Sequence, residues 1–278
     1  MRNAEPLSKK QIKALRLLGK RSERYARGRF IVEGERAVRQ ILANGRLEVQ
    51  QIIVDESRLD VKDSIPDADV NNVPPCYTVT SDRFRRLTDT RTAQGVLAVC
   101  AIPEPSGADE LMERSGMLFA ADRIQDPGNM GTMIRTAVWF GVRGMVVSPG
   151  TVDLFHPKVV RSTAGSTGVL PWLESDLPEF LMNAREAGWN VHLLDAGPGA
   201  YSYRDMAATG KDILVVGNEA NGIDERLHRA EYAKIRIDHG PLITGGAGTD
   251  QQPEGVESLN ASAAAAIAMA HFAVIPSD

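Results

Sequence analysis

Five polar residues have the types and spacing to share one piece of chemistry. Asn129 and Arg135 lie in QDPGNMGTMIRTAVWF (125–140), Glu219 in ILVVGNEANGI (213–223), and Ser258 and Asn260 in ESLNASAAAAIAMA (257–270). Each stands at a junction between strand-like and helix-like sequence. Pro127, Gly128 and Asn129 read as a tight turn, Thr132 as a helix cap, and Arg135 as part of the first helical turn. A cation there opposes the helix dipole, and a phosphate or a carboxylate would reconcile the two. Glu219 follows a buried strand, ILVVG, at the end where open α/β sheets bind ligands. Ser258 or Asn260 caps a helix of very small residues, which lets a backbone or a ligand approach closely. The same residues also read as ordinary caps, tight packing and a solvated arginine. The co-occurrence of two Asn, one Arg, one Glu and one Ser at successive junctions favours a site.

These residues need an α/β frame to position them. Apolar runs predict strands at 117–121, 144–148, 190–194, 213–217 and 233–237, and helices at 132–140, 156–164, 177–187, 224–230 and 260–274. Strand and helix alternate, so this part is an α/β domain with a mostly parallel sheet. A smaller α/β pattern precedes it: an amphipathic helix over 8–20 with Ile12, Leu15 and Leu18 on one face, strands at 30–33, 49–54 and 95–102, and helices at 35–43 and 81–90. Residues 55–75 read as a connection, and PEPSG (103–107) as a linker, stiff then flexible. The domain limits are therefore 1–102, 103–107 and 108–278. Residues 239–255 read as a mobile, Gly-rich loop.

Composition bounds the function. The chain has 278 residues, 43% hydrophobic and 24% charged, as in a globular protein. No apolar run approaches the roughly 20 residues of a membrane span, and the opening MRNAEPLSKKQ lacks the apolar stretch of a signal peptide. A cytoplasmic setting is expected. Two cysteines and five histidines show no metal-ligand spacing, so no metal is expected. The net charge of −4 is uneven: residues 1–40 carry 12 Lys+Arg against 4 Asp+Glu, about +8, and the remainder 20 against 32, or −12. That asymmetry points to an anionic partner, nucleic acid above all. Arg16, Lys20, Arg21, Arg24 and Arg27 are candidate phosphate contacts, with Tyr25 as a stacking platform or a packed ring. Lys158 and Arg161 form a second basic edge. A nucleotide-dependent dehydrogenase lacks support, because G-x-G-x-x-G is absent after a strand.

The order PGNMGTMIRTA, VVGNEANGI, SLNASAAAAIA resembles the three motifs of the SpoU (TrmH) family of RNA ribose 2′-O-methyltransferases, and SPGTVDLFHPKVVRSTAGS resembles the segment after the first of them. GRFIVEGERAVRQIL is similar to the substrate-binding domain of the ribosomal-RNA branch. The resemblance implies a SPOUT domain with a C-terminal trefoil knot, preceded by a small domain like ribosomal protein L30e. It implies S-adenosylmethionine as methyl donor, held by Leu194, Ala196, Gly197, Val216, Gly217, Asn218, Ile237, Leu259 and Ala263, largely through main chain. It implies a homodimer through the helix with Ala263 and Ala264, and structured RNA as substrate, 23S ribosomal RNA before transfer RNA. The catalytic set would be Asn129, Arg135, Glu219, Ser258 and Asn260. The family gives Arg135 the removal of the proton. A guanidinium stays protonated in proteins, so clamping a phosphate and stabilising the developing alkoxide fits it better. A non-catalytic RNA-binding or ribosome-assembly factor on the same fold is the competing reading.

Overall fold

The computed structural model describes residues 5–58, 74–88, 90, 93–229, 231–239 and 258–273. Cα packing separates two compact units: Met1–Glu104 with Met130–Arg135 and Asp153–Val169, and Pro105–Asn129 with Thr136–Val152 and Leu170–Asp278.

The first unit contains β1 (Glu5–Pro6), α1 (Lys9–Leu17), α2 (Arg21–Arg27), β2 (Arg29–Glu33), α3 (Glu35–Asn44), β3 (Val49–Asp55), β4 (Cys76–Val79), α4 (Ser81–Arg85) and β5 (Val96–Ala101). Among the described residues its sheet has the order β1-β4-β3-β5-β2, with β5 antiparallel to both neighbours and the other pairs parallel. Ser8 and Gln11 form a reciprocal capping box that starts α1. Its buried face is Ile12 and Leu15, with Leu18 following. They pack with Ile53, Phe84, Leu97 and Val99. The basic run after Gly19 is helical, as α2, and Gly28 ends it in the left-handed conformation (φ 59°) that glycine adopts without strain.

The second unit is built around β6 (Gly116–Ala121), β7 (Gly144–Val147), β8 (Trp172–Glu174), β9 (Asn190–Leu194), β10 (Tyr201–Ser202), β11 (Lys211–Val216) and β12 (Ala233–Arg236). The described strands form one parallel sheet in the order β10-β12-β9-β11-β6-β7-β8. Strands covered on both faces read as continuous apolar runs, as MLFAA and ILVV do. The helices are α5 (Ala108–Met112), α6 (Pro127–Trp139), whose residues 130–135 and following α7 (Pro157–Ser162) group with the first unit, then α8 (Leu177–Glu186) and α9 (Ala261–Phe272). Leu177, Phe180, Leu181 and Ala184 of α8 repeat at helical spacing and bury against Val191, Leu193, Ile213 and Val215. The intervening His192 faces the other side of β9. There its ring stacks on Phe272 of α9, centroids 4.3 Å apart.

Three expectations need correction. The 127–129 segment is no turn: Asp126 caps Asn129 N–H at 2.7 Å and Pro127 is the first helical residue, so Thr132 caps nothing. The helix expected over 224–230 is a single 3-10 turn, Glu225–Leu227, because Asp224 accepts from Arg226 N–H and closes the chain locally. Strands β1, β4, β8 and β10 and helices α2 and α5 were not predicted; with two to seven residues each, they are too short to show a period. Of the loop expected over 239–255, residues 240–255 lie outside the described residues.

Candidate active site

Four neighbouring strands, β12, β9, β11 and β6, end on the same edge of the parallel sheet. Leu194 closes β9, Val216 closes β11, Ile237 follows β12, and α6 begins six residues beyond the end of β6. The carboxyl edge of such a sheet is where α/β proteins bind ligands. Gly217 is required there: a Cβ on it would lie 2.5 Å from the backbone of Gly222 and Ile223. The chain turns back through an Asn218–Gly222 bridge, leaving Glu219 exposed at the tip.

Glu219 joins the first and second motifs. Its carboxylate accepts from the backbone N–H of Gln125 and of Asp126, both at 3.3 Å, and from Asn129 Nδ2 at 3.1 Å. Asn129 Oδ1 in turn accepts from Asn260 Nδ2 at 2.9 Å. Asn260 Oδ1 caps α9 through the N–H of Ser262 and Ala263. The three motifs therefore meet in one hydrogen-bonded chain, Glu219–Asn129–Asn260, whose members are 90 and 131 residues apart. The amide orientations are those this network demands.

Asn218 supports this chain from beneath. It is buried, donates to Arg123 C=O at 2.8 Å, and accepts from Ala220 N–H and Asn221 N–H at 3.0 and 2.9 Å. Its side chain thus fixes the turn that carries Glu219. Asp122, buried at the end of β6, accepts from Arg123 Nε at 3.1 Å, Ser148 Oγ at 3.3 Å and Asp224 N–H at 2.8 Å. The bond from Asp122 raises the Arg123 pKa. The bond from Arg226 holds the Asp224 carboxyl below its ordinary value. On the far face of β9, burial pushes the Asp212 carboxyl up, but bonds from His192 and Thr209 outweigh it and hold it low.

Of the other expected residues, Ser258 and Leu259 are exposed just ahead of the Asn260 cap. Ala196 is exposed, Gly197 is half-buried with its N–H on Asp195 Oδ1 at 2.8 Å, and Ala263 is exposed on the first turn of α9. Arg135 is exposed as the ninth residue of α6. The dipole argument for an anion beside it fails, since that effect fades within the first turn. It lies six residues beyond Asn129, about 9 Å along the axis and on another face of the helix, so the Glu219–Asn129–Asn260 chain does not include it. Asp126 and Asp122 were the residues missed.

The comparisons bear on this geometry. The model of the SpoU rRNA Methylase family matches residues 116–244, and that of the MRM3-like substrate binding domain matches residues 9–98. A 23S rRNA (guanosine(2553)-2'-O)-methyltransferase of Bacillus subtilis is 31% identical over 98% of this chain and 99% of its own. The chain belongs to the SpoU rRNA methylase family. A 23S rRNA (uridine(2479)-2'-O)-methyltransferase of Streptomyces viridochromogenes is 29% identical over 74% of each chain. The solved structure of a TrmH-family protein from Porphyromonas gingivalis superposes with a TM-score of 0.75 at 27% identity, covering 96% of this chain and 98% of that one. The parallel sheet and its flanking helices are those of SpoU methylases, and the first unit carries their substrate-binding domain.

Within that domain the basic residues separate. Arg16, Lys20, Arg21 and Arg27 are exposed, Arg27 paired with Glu23 at 2.8 Å. Arg24 is not available to RNA. It is 1% exposed, ion-paired with Asp153, and donates to the C=O of Leu18 and Gly19 at 2.8 and 3.0 Å. Tyr25 is partly packed. Its hydroxyl donates to Asp153 at 3.0 Å and its edge meets Phe155, while 39% of it stays exposed beneath the Arg21 guanidinium. Lys158 and Arg161 are exposed on α7, Arg161 lying 3.8 Å from Glu33. No helix among the described residues is long and apolar enough to cross a membrane, and no group of three or more potential metal ligands occurs among them.

Proposed function

We propose that this SpoU methylase transfers a methyl group from S-adenosylmethionine to a ribose 2′-hydroxyl of 23S ribosomal RNA. One observation carries the assignment of the site: Glu219, Asn129 and Asn260, one from each motif, form a single hydrogen-bonded chain. The sheet edge suits the methyl donor. Gly217 has no room for a side chain, apolar Leu194, Val216 and Ile237 lie at the ends of neighbouring strands, and no carboxylate is needed for main-chain recognition. When bound, the donor supplies an electrophilic methyl on a sulfonium.

The chain's own groups do the rest. Glu219 holds the Asn129 amide and the two backbone N–H groups before α6, which fixes the wall that receives the ribose. Asn260 joins that wall to α9, and Ser258 and Leu259 close it. Positioning of this kind supplies much of the rate of a group transfer. Arg135 grips an RNA phosphate and stabilises the 2′-oxygen as it loses its proton, which passes to a phosphate oxygen or to water, since the guanidinium is already protonated. Because Arg135 lies off the Asn129 face of α6, it serves the site of a second copy in a homodimer. An apolar stripe of Ala263, Ile267 and Ala270 on α9 is exposed for that contact. Residues 1–102 bind the RNA, 103–107 link, and 108–278 carry the chemistry, in the cytoplasm.

The test is transfer of labelled methyl to ribosomal RNA, with the modified nucleotide mapped. Arg135→Ala and Arg135→Lys should lose transfer at least a hundredfold with S-adenosylmethionine affinity kept within twofold. Full activity in Arg135→Ala removes Arg135 from the mechanism. A wild-type chain that binds RNA and labels none would be an assembly factor instead.

A further inference from the structure

The first unit holds a recess of about 200 Å³ that the site above does not use. A dry cavity of ~150 Å³ already admits a benzene ring. The floor is apolar, made of Leu15, Leu18, Leu87 and Phe155, all buried. The rim carries the exposed guanidiniums of Arg16, Arg86 and Arg161. Arg161 shares charge with Glu33, and Arg24, which also borders the recess, is neutralised by Asp153. Arg16 and Arg86 face no carboxylate among the described residues. Among the described residues, the recess therefore has two positive charges without a paired carboxylate above a non-polar floor.

That combination selects a ligand. A bare phosphate has no use for the floor, and a paired duplex offers the rim phosphates but no open base face. A single unstacked nucleotide matches both parts, with its ring on the floor and its flanking phosphates on the arginines.

We propose that this recess seats one unpaired nucleotide of the RNA, with Arg16 and Arg86 on its phosphates. The inference rests on RNA being the substrate, and identifies which part of it the first unit grips. Arg86 is a contact that the sequence did not suggest.

The experiment uses the full chain and the ribosomal RNA fragment it methylates. Arg16→Ala and Arg86→Ala should each weaken RNA binding threefold to tenfold and lower the salt slope by about one. Together they should raise the KM for RNA about thirtyfold while kcat at saturating RNA stays within twofold. Arg36→Ala, on α3 outside the recess, should change neither by more than twofold. Abasic substitution along the fragment should identify one unpaired position whose base is worth at least tenfold in affinity. A double variant that binds within twofold of wild type overturns the proposal. So does an abasic scan without such a position, or full displacement of RNA by millimolar inorganic phosphate at constant ionic strength. A wild-type chain that methylates no RNA would instead refute the functional reading, a result distinct from all three.

Discussion

Asn218→Asp is the sharpest perturbation of the active-site framework, because it changes one atom and almost no volume. The wild-type amide donates to Arg123 C=O at 2.8 Å and its oxygen accepts the N–H groups of Ala220 and Asn221. A carboxylate keeps the second function and inverts the first, placing an acceptor against an acceptor in a buried spot. Losing the bond costs about 1 kcal/mol and leaving the carbonyl unsatisfied about 1 to 3 more, so about 2 to 4 kcal/mol in all. For a structural unit of this size that lowers the melting temperature by roughly 4 to 16 °C. The turn bearing Glu219 shifts with it. Since a misplacement of about 1 Å can cost a hundredfold in rate, kcat should fall tenfold to a hundredfold with little change in the KM for RNA. The pH dependence carries a signature. The facing carbonyl raises the pKa of the introduced carboxyl in the folded state above its unfolded value. Its protonated form can again donate to Arg123 C=O. The stability deficit is therefore full at neutral pH and shrinks as pH falls through the raised pKa. Melting curves from pH 5 to 8, run beside wild type, measure it. A variant that melts within 1 °C of wild type at pH 7.5 and keeps its kcat refutes the positioning role.

Two further outcomes follow from the same geometry. Arg24→Met leaves the Asp153 carboxylate buried without its cation, a loss of about 3 to 5 kcal/mol readable by denaturant unfolding, whereas RNA affinity per folded molecule should stay within twofold; a selective loss of RNA binding would put Arg24 back on the surface. Gly217→Ala places a methyl 2.5 Å from the Gly222 and Ile223 backbone; S-adenosylmethionine affinity, measured by calorimetry, should drop more than tenfold, and unchanged affinity would remove this crossing from the donor site.

The sequence shows the frame well where several apolar residues run together. MLFAA, NVHLL and ILVV are parallel strands because both faces of the sheet are covered, and small errors at their ends move no site residue. Asn260 as the cap of α9 is equally local, since cap and capped N–H groups are neighbours in the chain. DPGN is different. Proline followed by glycine is a turn signal, yet an Asp before a Pro is also a helix start; the choice is settled by Glu219, which takes the N–H groups of Gln125 and Asp126 from more than 90 positions away. Arg24 and Arg21 look alike in RSERYAR, and only Asp153 distinguishes the buried one from the exposed one. Asn218 is another such case, since its bond to Arg123 C=O, 95 positions away, is not visible in the sequence. What the residues hide is the long-range partner, and polar side chains depend on it more than apolar ones do.

The bond between Asn129 and Asn260 ties the middle of the chain to its last helix. That helix is synthesised after every described strand of the parallel sheet. Until then Asn129 lacks its amide partner and the wall of the site is incomplete. A chain that stops between the end of β12 and Asn260 has every described strand of the sheet and still lacks the amide that completes this wall, so its loss of methyl transfer would not depend on losing the sheet.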